Sequence, residues 1–364
     1  MKTSLLFTAI AVASSPAFAV VNGTPMDWKD HNNIVRLDNK TLGKQGQCTG
    51  TLIAGKYVLT AAHCLDTQES VDSVMTSDNQ QYDVNYLQII PHPDYDVNIE
   101  PGLYDVALIP LEMNVSYKNN QLLTDLTTSN FKTDENISVT GFGGTTFSSS
   151  QLNRADFTFN RAHSFNPSFI YIDQVNQSHT TGGDSGSAWT NAKNEIVAIH
   201  KGSDTSSTGS GDDYVSVRET YGTDLHYASD FILDTINGWH YPTVATANGQ
   251  TTIIVQSLHK STEQPDVRNS AWTEGDVTLN TELSTCLTAD IKPYSKCTFV
   301  IDSNGGEGVL WLSANEPIEI NPKATTNPDG GNGSTGGSSS GGSFGVFSLL
   351  ALMGLAFGRR SWTA

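Results

Sequence analysis

The sequence predicts an all-β protein made of many short strands, and three features lead to that reading. Runs of β-branched and apolar residues recur, among them Tyr57-Val58-Leu59-Thr60, Val106-Ala107-Leu108-Ile109, Ile137-Ser138-Val139-Thr140 and Ile196-Val197-Ala198-Ile199. Gly, Asn, Asp and Ser separate them, as turns between paired strands require. Helical spacing is convincing at one late place, about Ala228–Ile236, where Phe231, Ile232 and Ile236 share a face and Gly238 is positioned to end the helix. Such a pattern suits a barrel or a sandwich.

Taken in order, residues 1–19 have the layout of a secretory signal peptide. Lys2 supplies the positive start, Leu5 to Val12 the apolar core, and Ala17-Phe18-Ala19 the small-residue cleavage site. Export implies an oxidising compartment, so the four cysteines are expected to form two disulfides. Three connectivities are open, and local spacing favours Cys48–Cys64 and Cys286–Cys297. Residues 20–240 hold the first set of strands. Residues 241–323 hold a second set, with alternating runs such as Thr251-Thr252-Ile253-Ile254-Val255 and Gly308-Val309-Leu310-Trp311-Leu312. A segment of that size can make a small β-sandwich, which a disulfide would help to hold. Its expected role is binding or spacing. Residues 324–343, rich in Gly, Ser, Thr and Asn, form a flexible linker. The last segment, 344–364, carries the apolar stretch Phe344–Phe357 followed by Arg359-Arg360. It is marginal as a stable bilayer span but suits transient membrane contact through residues 344–360.

Composition narrows the function. Charged residues make up 16% and hydrophobic ones 37%, a folded composition and not a disordered one. The formal net charge of -18 argues against nucleic acid, whose phosphates would repel it, and fits an exported protein kept soluble by its surface. No Cys/His cluster has metal-ligand spacing, so neither metal nor other cofactor is expected.

Three segments carry chemistry. Thr60-Ala61-Ala62-His63-Cys64 follows an apolar strand, Tyr104-Asp105-Val106-Ala107-Leu108 opens another, and Gly182-Gly183-Asp184-Ser185-Gly186-Ser187 is a small-residue loop before a third. Singly each is weak, but in the order His, Asp, Ser they form a strong signal. Over residues 20–238 they resemble the chymotrypsin family. The resemblance implies a chymotrypsin-like double β-barrel with a C-terminal helix and serine endopeptidase activity on protein or peptide substrates. His63 would then act as general base hydrogen-bonded to Ser185, with Asp105 holding its tautomer. The amides of Gly183 and Ser185 would form the oxyanion hole. A Cys48–Cys64 bridge would pin the histidine loop, and Gly141-Phe142-Gly143 is similar to the family's Gly-Trp-Gly turn.

The family also implies an activation ion pair. Val20-Val21-Asn22-Gly23 begins directly after the expected cleavage site, so signal-peptide removal alone would free a Val20 ammonium to pair with Asp184. The specificity segment departs from the trypsins. Thr181 stands where many members have cysteine, and His179 stands six residues before Ser185, where trypsins carry the Arg/Lys-selecting aspartate. Thr180 and His200, five residues before and fifteen after Ser185, resemble the glutamyl endopeptidases, in which such residues contact a substrate carboxylate. Acidic, apolar and Arg/Lys preferences all stay open, with Glu before the scissile bond favoured. A different class, a catalytically inactive protease-fold adhesin, would usually have lost a triad member, and none is lost. Gly341-Gly342-Ser343, the apolar stretch and Arg359-Arg360 resemble the GlyGly-CTERM sorting tail. That resemblance implies type II secretion, partners in the export and tail-processing machinery, and a secreted or surface location on a Gram-negative bacterium. A monomer is expected.

Overall fold

The structure, a computed structural model, describes residues 20–67, 70–96, 98, 103–129, 131–144, 151–208, 215–260 and 270–323. The expected signal peptide, linker and sorting tail lie outside the described residues.

Strand is the prevailing secondary structure of the described residues, as expected. One seven-stranded sheet runs Gln81–Asp83, Ser73–Met75, Ile34–Asn39, Lys44–Ile53, Tyr57–Thr60, Ala107–Pro110, Ile90–Pro91. A second runs Thr24–Met26, Leu152–Ala162, Phe169–Gln174, Val215–Asp224, Ile196–Thr208, Ala188–Thr190, Asn136–Gly141. In the second sheet Asn136–Gly141 pairs with both Ala188–Thr190 and Leu152–Ala162, so six strands close into a barrel and Thr24–Met26 joins its rim. The first sheet forms a half-barrel whose ladder does not close among the described residues. The expected pair of barrels is thus one closed and one open. The outer strands of the first sheet are two or three residues long, too short to carry a continuous ladder round. Together the two sheets and the helix that follows make the chymotrypsin fold.

Side-chain alternation explains the barrel wall. Along Leu152–Ala162, Ala155, Phe157 and Phe159 face inward while Arg154 and Asp156 face out. Their core includes Val20, Ile137, Val139, Ile172 and a fully buried Trp189. Ile34–Asn39, in the first sheet, is buried throughout. Its two charged residues are therefore paired, with Arg36 Nε and Nη2 each 2.8 Å from an oxygen of Asp38.

The helix begins as a 3-10 turn, Leu225–Ala228, and continues as Ser229–Ile236. Asn237, at φ 40°, ends it, and not Gly238 as expected. Asn tolerates this left-handed conformation, so the glycine is free for another need. A Cβ at Gly238 would lie 2.5 Å from Glu316 Oε1, so the glycine leaves room for the carboxylate that accepts the Trp239 amide.

After the helix come two four-stranded sheets. One contains Trp239–His240, Gly249–Ser257, Lys296–Ser303 and Thr278–Asn280; the other contains Val244–Ala245, Pro317–Ile320, Gly308–Trp311 and Trp272–Gly275. They share a core of Ile253, Val255, Phe299, Ile301, Leu310, Ile318 and Ile320. A Cys286–Cys297 disulfide lies within it. Buried polar contacts tie this region to the segment at Leu123, which bridges to Ile196 of the closed barrel, and to the helix. Gln256 accepts from the Leu123 amide at 2.9 Å and donates to the Leu123 carbonyl at 2.7 Å, and the Tyr294 hydroxyl donates to Ser229 O at 2.9 Å.

Candidate active site

The half-barrel supplies His63 and Asp105. Strand Tyr57–Thr60 leads into a 3-10 turn, Ala62–Leu65, that carries His63. A Cys48–Cys64 disulfide ties this turn to Lys44–Ile53. Asp105 sits just before Ala107–Pro110, and that strand pairs with Tyr57–Thr60. The two segments are therefore neighbours by sheet register. His63 Nδ1 lies 2.7 Å from Asp105 Oδ2, and the His63 amide donates to Oδ1 at 2.9 Å. The Asp105 side chain is fully buried, whereas His63 is 30% exposed. Burial pulls the Asp105 carboxyl up, but the His63 hydrogen bonds and charge, with Lys201 beyond, hold it below the usual carboxylate range. Lys201 Nζ is 3.9 Å from Asp105 Oδ2. Tyr104 holds φ at 46°, an uncommon backbone for a tyrosine, and its ring stacks on His92 with centroids 4.5 Å apart. Tyr104 thus turns the chain immediately before Asp105. No residue pattern marked it.

The barrel supplies Ser185 on a loop held from all sides. Thr49 donates twice to this loop, from its amide to Ser185 O at 2.8 Å and from Oγ1 to Gly183 O at 2.9 Å. Gly186 N donates to His200 O at 2.8 Å, and Asp184 N to Thr181 O at 3.1 Å. Gly183 and Gly186 hold φ at +100° and +81°, where a Cβ would also strike Gly46 O and Thr60 Oγ1 respectively. The amides of Gly183 and Ser185 have no acceptor among the described residues. The Ser185 hydroxyl departs from expectation. It donates to Lys201 O at 3.3 Å and not to His63. A serine hydroxyl is a rotor with nearby acceptors in competition, so this bond leaves the base unengaged without moving the backbone.

Asp184 is fully buried and accepts from Gly143 N at 2.8 Å and Thr181 N at 2.9 Å. A Cβ at Gly143 would sit 2.3 Å from Asp184 Oδ2, and one at Gly141 2.5 Å from Oδ1, which accounts for both glycines of the Gly-Phe-Gly turn. Burial pushes the Asp184 carboxyl up to about 7 despite those two amides, and no cation lies within salt-bridge range among the described residues. Val20 is fully buried in the barrel core, at the start of the segment that leads to the rim strand Thr24–Met26.

The residues expected to choose the substrate divide. Thr180 and His200 are both buried. Thr180 Oγ1 has no hydrogen-bond partner. His200 Nδ1 accepts from Trp189 Nε1 at 3.3 Å. Burial first, then repulsion from His63, pushes His200 down to about 3. Burial thus disfavours the charged form of His200, the form that would attract a substrate carboxylate most strongly. His179 pairs through its amide with Val21 O at 3.0 Å, and its Nδ1 lies 3.2 Å from Gln177 O. No described contact joins it to Thr180, His200 or Ser185. Sequence reasoning missed Arg218, whose Nη2 donates to Thr180 O at 2.6 Å and to Ser203 Oγ at 3.0 Å. Only the pairing of Ile196–Thr208 with Val215–Asp224 brings it there, and no local motif records that pairing.

Known proteins bear on this arrangement. The Trypsin family model matches residues 20–220, more than half of the chain, and the chain belongs to the trypsin family. Among curated relatives it is 29% identical to kallikrein-8 of Homo sapiens over 109 residues, covering 29% of this chain and 42% of that protein. It is 32% identical to chymotrypsin-like elastase family member 1 of Bos taurus over 105 residues, 27% of this chain and 39% of that one. Mast cell protease 3 of Ovis aries is 28% identical over 149 residues, 39% of this chain and 59% of the relative. The chain thus spans about two fifths of the length of the first two relatives. Among solved structures, a mutant of human heparin binding protein aligns with a TM-score of 0.47 at 16% identity, covering 60% of this chain and 97% of that one. Vibrio cholerae VesB protease aligns with a TM-score of 0.45 at 18% identity, covering 82% and 96%.

Proposed function

We propose that this protein is a serine endopeptidase that cuts through an acyl-enzyme. One observation carries the reading: a partly exposed His63 is held through Nδ1 by a buried Asp105, and Lys201, whose carbonyl accepts the Ser185 hydroxyl, brings its Nζ to 3.9 Å from the same carboxylate. On substrate binding the Ser185 hydroxyl leaves Lys201 O and turns to His63 Nε2. The serine oxygen attacks the scissile carbonyl while Nε2 takes its proton. The negative charge formed on the carbonyl oxygen is met by the Gly183 and Ser185 amides, a contribution of roughly 3–4 kcal/mol per donor in related chemistry. The imidazolium then gives its proton to the leaving amine, the amide C–N bond breaks, and a water repeats the sequence to release the acid. Asp105 stays ionised throughout.

Activation follows from Val20 and Asp184. Cleavage after Ala19 frees the Val20 ammonium, and a buried carboxyl raised to about 7 is a group in need of such a cation. Two disulfides fit an exported protein. In this reading residues 241–323 are an accessory module, and residues 344–364 are a tail removed after export. The preferred cleavage follows an acidic residue, Glu above Asp, with Thr180 Oγ1 as one donor to it and His200 as a neutral wall. The test is a Ser185→Ala variant of the mature protein. It should fold with an unchanged Tm and lose hydrolysis by several orders of magnitude. Wild-type turnover in that variant would end the proposal.

A further inference from the structure

Four arginines are among the described residues, and three are neutralised. Arg36 pairs with Asp38, Arg154 with Asp156 and Arg161 with Glu219. Arg218 has no carboxylate within salt-bridge range among the described residues, in a chain of net charge -18. Its Nη2 is anchored on Thr180 O and Ser203 Oγ, and Ser203 Oγ itself donates to Thr180 O at 3.1 Å. Two polar atoms in this cluster are buried without partners, Arg218 Nε and Thr180 Oγ1. The cluster adjoins the catalytic loop. Thr180 leads into the Ser185 loop, and Ser203 lies two residues beyond Lys201, whose carbonyl holds the Ser185 hydroxyl. His200, one residue earlier, is close enough for the Arg218 charge to act on it.

A partly buried guanidinium without a counter-charge is costly, and water can satisfy its hydrogen bonds but not its charge. A carboxylate satisfies both, because its two oxygens match the guanidinium fork and accept a hydroxyl as well. We infer that Arg218 is the specificity-determining residue: it binds the side-chain carboxylate of an acidic residue just before the scissile bond, with Thr180 Oγ1 as second donor. This rests on the endopeptidase reading and names its substrate class. The positive charge that the neutral His200 lacks comes from Arg218, held in place by the Thr180 carbonyl.

The experiment uses the mature protein and matched peptides that carry Glu, Gln or Arg at that one position. kcat and KM are measured separately, and labelling of Ser185 by a fluorophosphonate reports independently on the catalytic machinery. Wild type should cleave the Glu peptide over the Gln peptide by about 30-fold or more in kcat/KM, the scale of a desolvated charge pair. Arg218→Gln should collapse that ratio toward one, chiefly through KM, and Arg218→Glu should favour the Arg peptide. Should the Gln variant fail to label, Arg218→Lys decides: an acid preference that persists supports the inference, and equal cleavage of Glu and Gln overturns it. A labelled wild type without Glu preference overturns this inference and leaves the endopeptidase reading intact. A wild type that never labels overturns both.

Discussion

Both oxygens of Asp105 are spent on one residue: Oδ2 faces His63 Nδ1 at 2.7 Å and Oδ1 accepts the His63 amide at 2.9 Å. The carboxylate therefore fixes the ring tautomer and the backbone that carries it. An amide in its place could keep the shape but would present an N–H to Nδ1 or to the His63 amide. Asp105→Asn should lower kcat by about 10⁴-fold with little change in Tm. A loss below about tenfold would show that Asp105 does not set the tautomer.

Asp184 gives a pH signature that differs between two forms of the protein. In a form extended ahead of Val20, the folded value of about 7 lies above the ordinary 3.8. A raised value favours the protonated fold, so the contribution is full below about pH 4 and is lost as pH climbs through about 7, on the order of 4 kcal/mol in all. Scanning calorimetry should find Tm of the extended form falling from about pH 4 to about pH 7 and level above that, and Asp184→Asn should remove the fall. In the proposed mature form the Val20 ammonium would supply the counter-charge, and Asp184→Asn should instead destabilise and inactivate. Identical profiles in the two forms would exclude the activation pair.

Gly143 is a steric test of the same carboxyl. A methyl group there would lie 2.3–2.7 Å from three atoms of Asp184, all fully buried. Gly143→Ala should cost at least about 2 kcal/mol of stability and most of the activity, whereas Gly182→Ala, with open space at its Cβ, should fold normally. Equal stability of the two variants in urea titration would contradict the packing described.

Burial opposes the charged form of three histidines away from the protein surface. Burial pushes His200 down to about 3, and His240 and His259 to about 4, below the ordinary 6.5. Depressed values favour the neutral fold. The stability they contribute is present above about pH 6.5 and is lost as pH falls toward the folded values. His240 is the cleanest probe, because its Nδ1 accepts from Ala54 N at 3.1 Å and its Nε2 donates to Gln121 O at 3.0 Å, away from the catalytic groups. His240→Gln should flatten the decline of Tm between about pH 6 and about pH 4. An unchanged slope would mean that His240 does not titrate on unfolding.

What could be read from the chain was whatever lies close together along it. The His63, Asp105 and Ser185 segments each carry their own turn and small residues, so motif and order located them. Gly141 and Gly143 were recognisable as a turn, but their reason, the Asp184 carboxyl against them, comes from strands far apart in sequence. The burial of His200 against Trp189 was not legible in the sequence, because burial is a property of the assembled sheet. Arg218 escaped notice for the same reason, being carried to Thr180 by strand pairing alone. At the helix end Gly238 looked like the stop, yet Asn237, which tolerates the left-handed conformation, makes the turn one residue earlier.

The proposed function makes Ser185 the nucleophile of an exported endopeptidase whose mature chain starts at Val20. Mass spectrometry of the exported protein after fluorophosphonate treatment tests it most directly. One adduct is expected, on Ser185, in a chain that begins Val20-Val21-Asn22-Gly23, and none in a His63→Ala variant. An adduct on another residue, or no adduct on a folded protein with that N-terminus, would contradict it.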